Sequence, residues 1–115
     1  MNDTRMACES PEKLKKLINV CVDDKLFSKK LKTSVFECVV EIVKNASKRR
    51  MAVKCFSSKT RKKMKKNKEL LTFLINSEIS LKKRKRKFLK LNKRQRKLFN
   101  SYIIADFMKN CLHHE

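Results

Sequence analysis

The chain has 115 residues, of which 32 are Lys or Arg and 11 are Asp or Glu, for a formal charge of +21. Gly is absent and Pro11 is the single proline, which excludes Gly-rich phosphate loops, disfavours tight hairpins and makes all-α the natural fold class. An apolar fraction of 41% is too high for a wholly disordered chain, and this length suits one small domain or a small domain with a basic extension.

Residues 1–10 are polar and read as a flexible N-terminus. Pro11 suits the first turn of a helix, with Ser10 as N-cap. Leu14, Leu17, Ile18 and Cys21 recur at helical spacing and define an apolar stripe. Asp23-Asp24 offers a stop or a new cap. The next helix carries Leu31, Val35, Cys38, Val39, Ile42, Val43 and Ala46 on one broad face, with Lys32, Glu37, Glu41 and Lys44 turned away. Ser34 and Glu37 have capping-box spacing, so this helix could begin or bend there.

Residues 47–56 read as a connector whose Met51, Val53 and Phe56 can still pack on the core. Ser57 or Ser58 is expected to cap a third helix running to about Ile75, with a charged first half that projects and a core-docked second half. Asn76-Ser77 reads as a break, and Ser80 as the next N-cap. The following helix carries Leu81, Phe88, Leu89 and Leu91 among cations. A final amphipathic segment, Arg94 to Leu112, places Leu98, Phe99, Tyr102, Ile103, Phe107 and Met108 on one face, with no Gly or Pro to separate it from the helix before. The expected architecture is a small helical domain of four to five helices, strongly basic in its C-terminal half. Residues 11–77 form the helical core and 78–115 a basic and amphipathic C-terminal region.

The charge is unevenly placed. Residues 1–47 carry a net +2, residues 48–100 a net +20, and residues 101–115 a net −1. From Ile79 to Ala105 there is no acidic residue, and Lys59 to Lys68 holds none either. A solvated helix face usually interleaves acids four residues from bases; these two segments do not. Lys and Arg at this density neutralise phosphates and release counterions, which points to nucleic acid as the partner and duplex DNA first. The candidate contacts are Lys59, Arg61, Lys62, Lys63, Lys65, Lys66, Lys82, Lys83, Arg84, Lys85, Arg86, Lys87, Lys90, Lys93, Arg94, Arg96 and Lys97. The run Lys82 to Lys87 also fits a nuclear localisation signal, a reading that can share one patch with DNA binding.

Other constellations are weak. Phe88, Phe99 and Tyr102 could stack on bases, but at helical spacing they read as core or interface residues. Cys111-Leu112-His113-His114 offers three ligand types at a chain end without a second cluster, so no metal and no cofactor is expected. The five cysteines, Cys8, Cys21, Cys38, Cys55 and Cys111, form no Cys-x-x-Cys pair. They read as reduced thiols of the cytosol or nucleus, with Cys21 and Cys38 as small buried hydrophobes. No Ser-His-Asp or Cys-His arrangement can be built, because both histidines lie at the terminus, so the chain does not read as an enzyme. Neither a signal peptide nor a membrane span is expected.

Four stretches together carry a resemblance: Phe36-Glu37-Cys38-Val39-Val40-Glu41-Ile42-Val43-Lys44-Asn45, Ser57-Ser58-Lys59-Thr60-Arg61-Lys62-Lys63-Met64, Leu71 through Asn76, and Ser80-Leu81-Lys82-Lys83-Arg84-Lys85. Over roughly residues 12–91 the chain resembles a small basic protein encoded by Maverick/Polinton-type elements and adintovirus-like DNA viruses. The resemblance implies a viral protein with a virion or nuclear role, in company with viral DNA. After about Leu91 the chain departs from that pattern. The family usually continues into a Gly-Gly-containing apolar tail, whereas this chain has no Gly and ends in an amphipathic segment.

The expected function is non-enzymatic, DNA-binding contact with the phosphate backbone, with little sequence specificity, in the nucleus or in a virion, with condensation or packaging of viral DNA as one role. The alternative is a helical assembly module in which 98–112 pairs with a partner helix or a second copy and the basic run serves only import. Adsorption to anionic membranes ranks last, because the most basic segments have narrow apolar faces.

Overall fold

The computed structural model describes residues 11–22, 25–47 and 55–111. It is all-α: among the described residues there are helices and turns and no strand. Helix α1 spans Pro11–Val22, and a single 3₁₀ turn, Lys25–Phe27, leads towards α2, Thr33–Ser47. Helices α3, Ser58–Lys66, and α4, Lys68–Ile75, follow, then α5, Leu81–Leu89, and α6, Lys93–Lys97. From α6 the chain runs on through π-helical Leu98–Ile103, the α turn Ile104–Asp106 and π-helical Phe107–Cys111; the whole stretch from Lys93 is termed the C-terminal helix. The expectations at Ser10, Asp23, Asp24, Met51 and Val53 lie outside the described residues, as do the side chains of Leu14 and Cys21.

Helix α2 is the central element because its apolar positions recur at steps of three and four over four turns. Leu31, just before it, and Val35, Cys38, Val39, Ile42, Val43 and Ala46 are all buried. Phe36 and Val40 are buried too, so the packed arc is wider than the expected stripe. Each such Val, Ile or Phe contributes about 1.5–3 kcal/mol through removal from water. Glu41 and Lys44, on the other side, form an ion pair at 3.6 Å. In α1, Leu17 is fully buried, whereas Ile18 is 37% exposed, which corrects its place in the core stripe. Phe56, from the connector, packs on the core as anticipated.

Four phenylalanines from four elements meet at the centre. Phe88 of α5 stacks on Phe27 of the 3₁₀ turn at 4.6 Å between ring centroids. It also meets Phe36 of α2 at 5.3 Å and Phe99 of the C-terminal helix at 5.1 Å, edge to face in the second case. Such offset and edge-on pairs add about 0.5–1.5 kcal/mol each beyond their burial. Leu91, Leu98, Ile103, Ile104 and Phe107 join the same cluster. The core thus runs from Leu17 to Phe107 and includes both the stretch expected as scaffold and the stretch expected as basic extension.

Three local features differ from the sequence expectation. The single helix anticipated over Ser58 to Ile75 is two, broken at Asn67, whose amide Nδ2 donates to the Lys63 carbonyl at 2.8 Å while its backbone N–H bonds Met64 at 3.0 Å. The side chain takes over a main-chain acceptor, and the turn tightens. A second break falls at Lys90–Asn92, where Asn92 and Gln95 form a reciprocal capping box that starts α6. These breaks give six helices among the described residues, where four to five were expected.

The charged half of α3 does not project: Thr60 and Met64 are buried, and the molecule measures 32 × 31 × 28 Å along its principal axes. In the π-helical turns, residues five apart stand over one another as residues four apart do in an α-helix. Leu98 with Ile103 and Phe99 with Ile104 are such pairs, and all four are buried.

Cys38 and Cys55 are both buried and both disulfide-bonded. This corrects the expectation of reduced thiols at these positions. Spacing along the chain carries no information about which cysteines a helical fold brings within bonding reach.

Candidate nucleic-acid interface

Helix α5 presents its cations because its apolar positions are few and lie on one side. Ser80 caps it, accepting from the Lys83 N–H at 3.2 Å, as its position before Leu81 predicts. Leu81, Arg84, Phe88 and Leu91 face inward at steps of three and four, with Phe88 and Leu91 almost wholly buried. The complementary face carries Lys82, Lys83, Arg86, Lys87 and Lys90, all exposed. Lys83, Arg86, Lys87 and Lys90 form an i, i+3, i+4, i+7 row about 10 Å long at 1.5 Å per residue. Together with Phe73 of α4 and Ile79 of the following turn, that row lines an open hollow of about 350 Å³. A neighbouring hollow of about 360 Å³ is lined by Lys82, Lys83 and Arg86 with Glu78, Ile79 and Ser80.

Arg84 is different. It is 8% exposed, and its guanidinium donates from Nε to the Ile79 carbonyl at 2.9 Å and from Nη1 to the Leu74 carbonyl at 3.1 Å. It therefore ties the turn between α4 and α5 and places a positive charge against the last carbonyls of α4, where the helix dipole is negative. Arg96 is also engaged: its Nε donates to the Leu91 carbonyl at 2.9 Å and its guanidinium lies 5.3 Å from the Phe27 ring centroid. Lys85 is half-buried and reaches Thr33 Oγ1 of α2 at 3.4 Å. Lys93, Arg94 and Lys97 are exposed on α6.

The second basic group sits on α3. Ser57 caps this helix, accepting from the Thr60 N–H at 3.2 Å. Asp106 of the C-terminal helix anchors the same end: its Oδ2 accepts from the Ser57 N–H at 2.9 Å and from the Thr60 hydroxyl at 2.6 Å. Asn110 adds a bond from Nδ2 to the Cys55 carbonyl at 2.9 Å. Lys59 and Lys63 lie over the Tyr102 ring, at 5.8 and 4.8 Å from its centroid. Arg61, Lys62, Lys65 and Lys66 are exposed. Two of the α3 cations, Lys59 and Lys63, thus stand against Tyr102, and the exposed cations of α5 line the hollows. Among the described residues the ion pair is confined to Lys44 and Glu41, so none of the seventeen is paired with a described acidic residue.

Of the aromatics weighed as stacking candidates, Phe88 and Phe99 are fully buried in the core and Tyr102 is half-buried beneath two lysines. Sequence reasoning placed Phe73 in the core-docked half of the third helix and gave it no part in the site, yet it lines the α5 hollow. It also passed over Lys16, Lys29, Lys30 and Lys32, which rim a groove of about 720 Å³ between α1 and the start of α2. Their segment is nearly neutral in net charge, so only the fold reveals them as a group.

Within the segment expected to pair with a partner, the described apolar side chains Leu98, Phe99, Ile103, Ile104 and Phe107 are buried in the chain's own core. The large hydrophobic side chain exposed among the described residues is Ile18, on α1. No group of metal-ligating side chains is present among the described residues, and no helix there is long and apolar enough to cross a membrane. The chain matches no protein-family model, no curated protein and no solved structure.

Proposed function

We propose that the protein is a non-enzymatic nucleic-acid-binding protein that grips the phosphate backbone, duplex DNA included, with little sequence preference. The observation that carries this reading is the set of exposed cations on α3, α5 and α6, held on a packed scaffold and without an acidic partner among the described residues. Cations fixed by a fold and left unneutralised build a field that concentrates polyanions and releases their counterions on contact. The exposed side chains of these helices are almost all Lys and Arg, the residues that most often contact phosphate oxygens, and this supports backbone contact. Condensation or packaging of viral DNA is the role that the resemblance over 12–91 adds. Two disulfide-bonded cysteines favour an oxidising location, virion surfaces among them, over the nucleus.

The test is charge reversal on the exposed row of α5. A Lys83→Glu/Arg86→Glu/Lys87→Glu variant is expected to keep its helical circular dichroism and lose duplex binding by at least about tenfold, since each phosphate contact contributes to affinity. Unchanged duplex affinity in that variant would overturn the reading.

A further inference from the structure

We infer that the α5 hollow is a seat for one unpaired nucleobase, so that the interface prefers single-stranded to duplex DNA. This rests on the nucleic-acid reading and names the form of the ligand. The hollow, about 350 Å³, is lined by Phe73, Ile79, Lys83, Arg86, Lys87 and Lys90, with no acidic residue among them. Phe73 and Ile79 are each half-buried and line the hollow, and Phe73 also packs against the core. An apolar lining that includes an aromatic side chain, beside four exposed cations, suits a ligand that is flat and apolar on its face and anionic at its edge. A nucleotide meets both demands in one unit: its base covers the floor and its flanking phosphates meet the cations. A duplex cannot, because its bases are stacked and paired, and extruding one costs a few kcal/mol. Base–aromatic stacking contributes about 1–3 kcal/mol per base and tolerates every sequence, which agrees with the little sequence preference proposed above.

The experiment compares three fluorescent probes of equal length: a deoxythymidine single strand, the same backbone without bases, and a duplex. The native protein is expected to bind the thymidine strand at least about fivefold more tightly than the abasic strand. Phe73→Leu, which keeps apolar volume and removes the ring, is expected to lose most of that difference while leaving abasic and duplex affinities unchanged. Equal affinity of the native protein for thymidine and abasic strands overturns the inference, as does a Phe73→Leu loss of equal size on all three probes. The abasic comparison needs no variant, so a folding defect cannot obscure it. If the triple α5 reversal also leaves every probe bound as before, the nucleic-acid reading itself fails; if it weakens all three while thymidine and abasic strands stay equal, only the base seat fails.

Discussion

Arg84 and Arg86 stand two residues apart in one helix, yet their surroundings assign them different work. Arg84 satisfies the carbonyls of Leu74 and Ile79 from a buried position, whereas Arg86 is exposed on the row that lines both hollows. Arg84→Ala leaves those two acceptors without their donor and is expected to cost about 1–3 kcal/mol of stability. Arg86→Ala is expected to change stability by no more than about 0.5 kcal/mol and to weaken DNA binding uniformly across sequences. Urea unfolding and fluorescence anisotropy on both variants check the pair. An Arg84→Ala protein of native stability would refute the assignment.

The largest single-residue effect belongs to Phe88, which touches three other rings and is fully buried. Truncation to alanine should lower the unfolding free energy by about 3–5 kcal/mol. A loss near that of a surface mutation would mean that the aromatic centre is not where the fold is held.

Among the elements, α3 depends most on a distant partner. Asp106 fastens its first turn through the Ser57 N–H and the Thr60 hydroxyl, the latter on a fully buried side chain. Asp106→Ala should therefore cost about 1–3 kcal/mol and raise hydrogen exchange first in the amides of residues 57–61. Protection there equal to that of the native protein would contradict the anchoring role. This contact was not legible in the sequence, because Asp106 lies 46 residues from Thr60 and reads alone as a charge on an amphipathic helix. Helix α2, by contrast, was legible almost residue by residue, since a three-and-four period over four turns has one physical solution.

The break at Asn67 was hidden because helical periodicity continues on both sides of it. The capping box at Asn92 and Gln95 could have been read from its spacing, and would have separated α5 from the C-terminal helix. The burial of Arg84 was masked by the six-residue cationic run around it. Its inward position follows only when Leu81, Phe88 and Leu91 are placed as one stripe with Arg84 between them. Phe73 was read as core because it sits among leucines, and only the turn through Ile79 shows that one side of it is left open.

At the scale of the whole molecule, the charge asymmetry seen along the chain becomes a surface property. A single core from Leu17 to Phe107 holds the basic helices against the scaffold, so the backbone positions of their cations are fixed before any ligand arrives. Fixed cations lose less conformational entropy on binding than a loose basic tail would, and they face one another's repulsion in the free protein. Both effects make association sensitive to screening. The molecule's central property is therefore electrostatic, and its most direct test is a salt titration of duplex binding. If about six to ten phosphates are contacted, log affinity should fall against log salt concentration with a slope of about 5 to 9, a loss of roughly three to five orders of magnitude between about 50 and 200 mM. A duplex affinity that barely changes over that range would contradict the account.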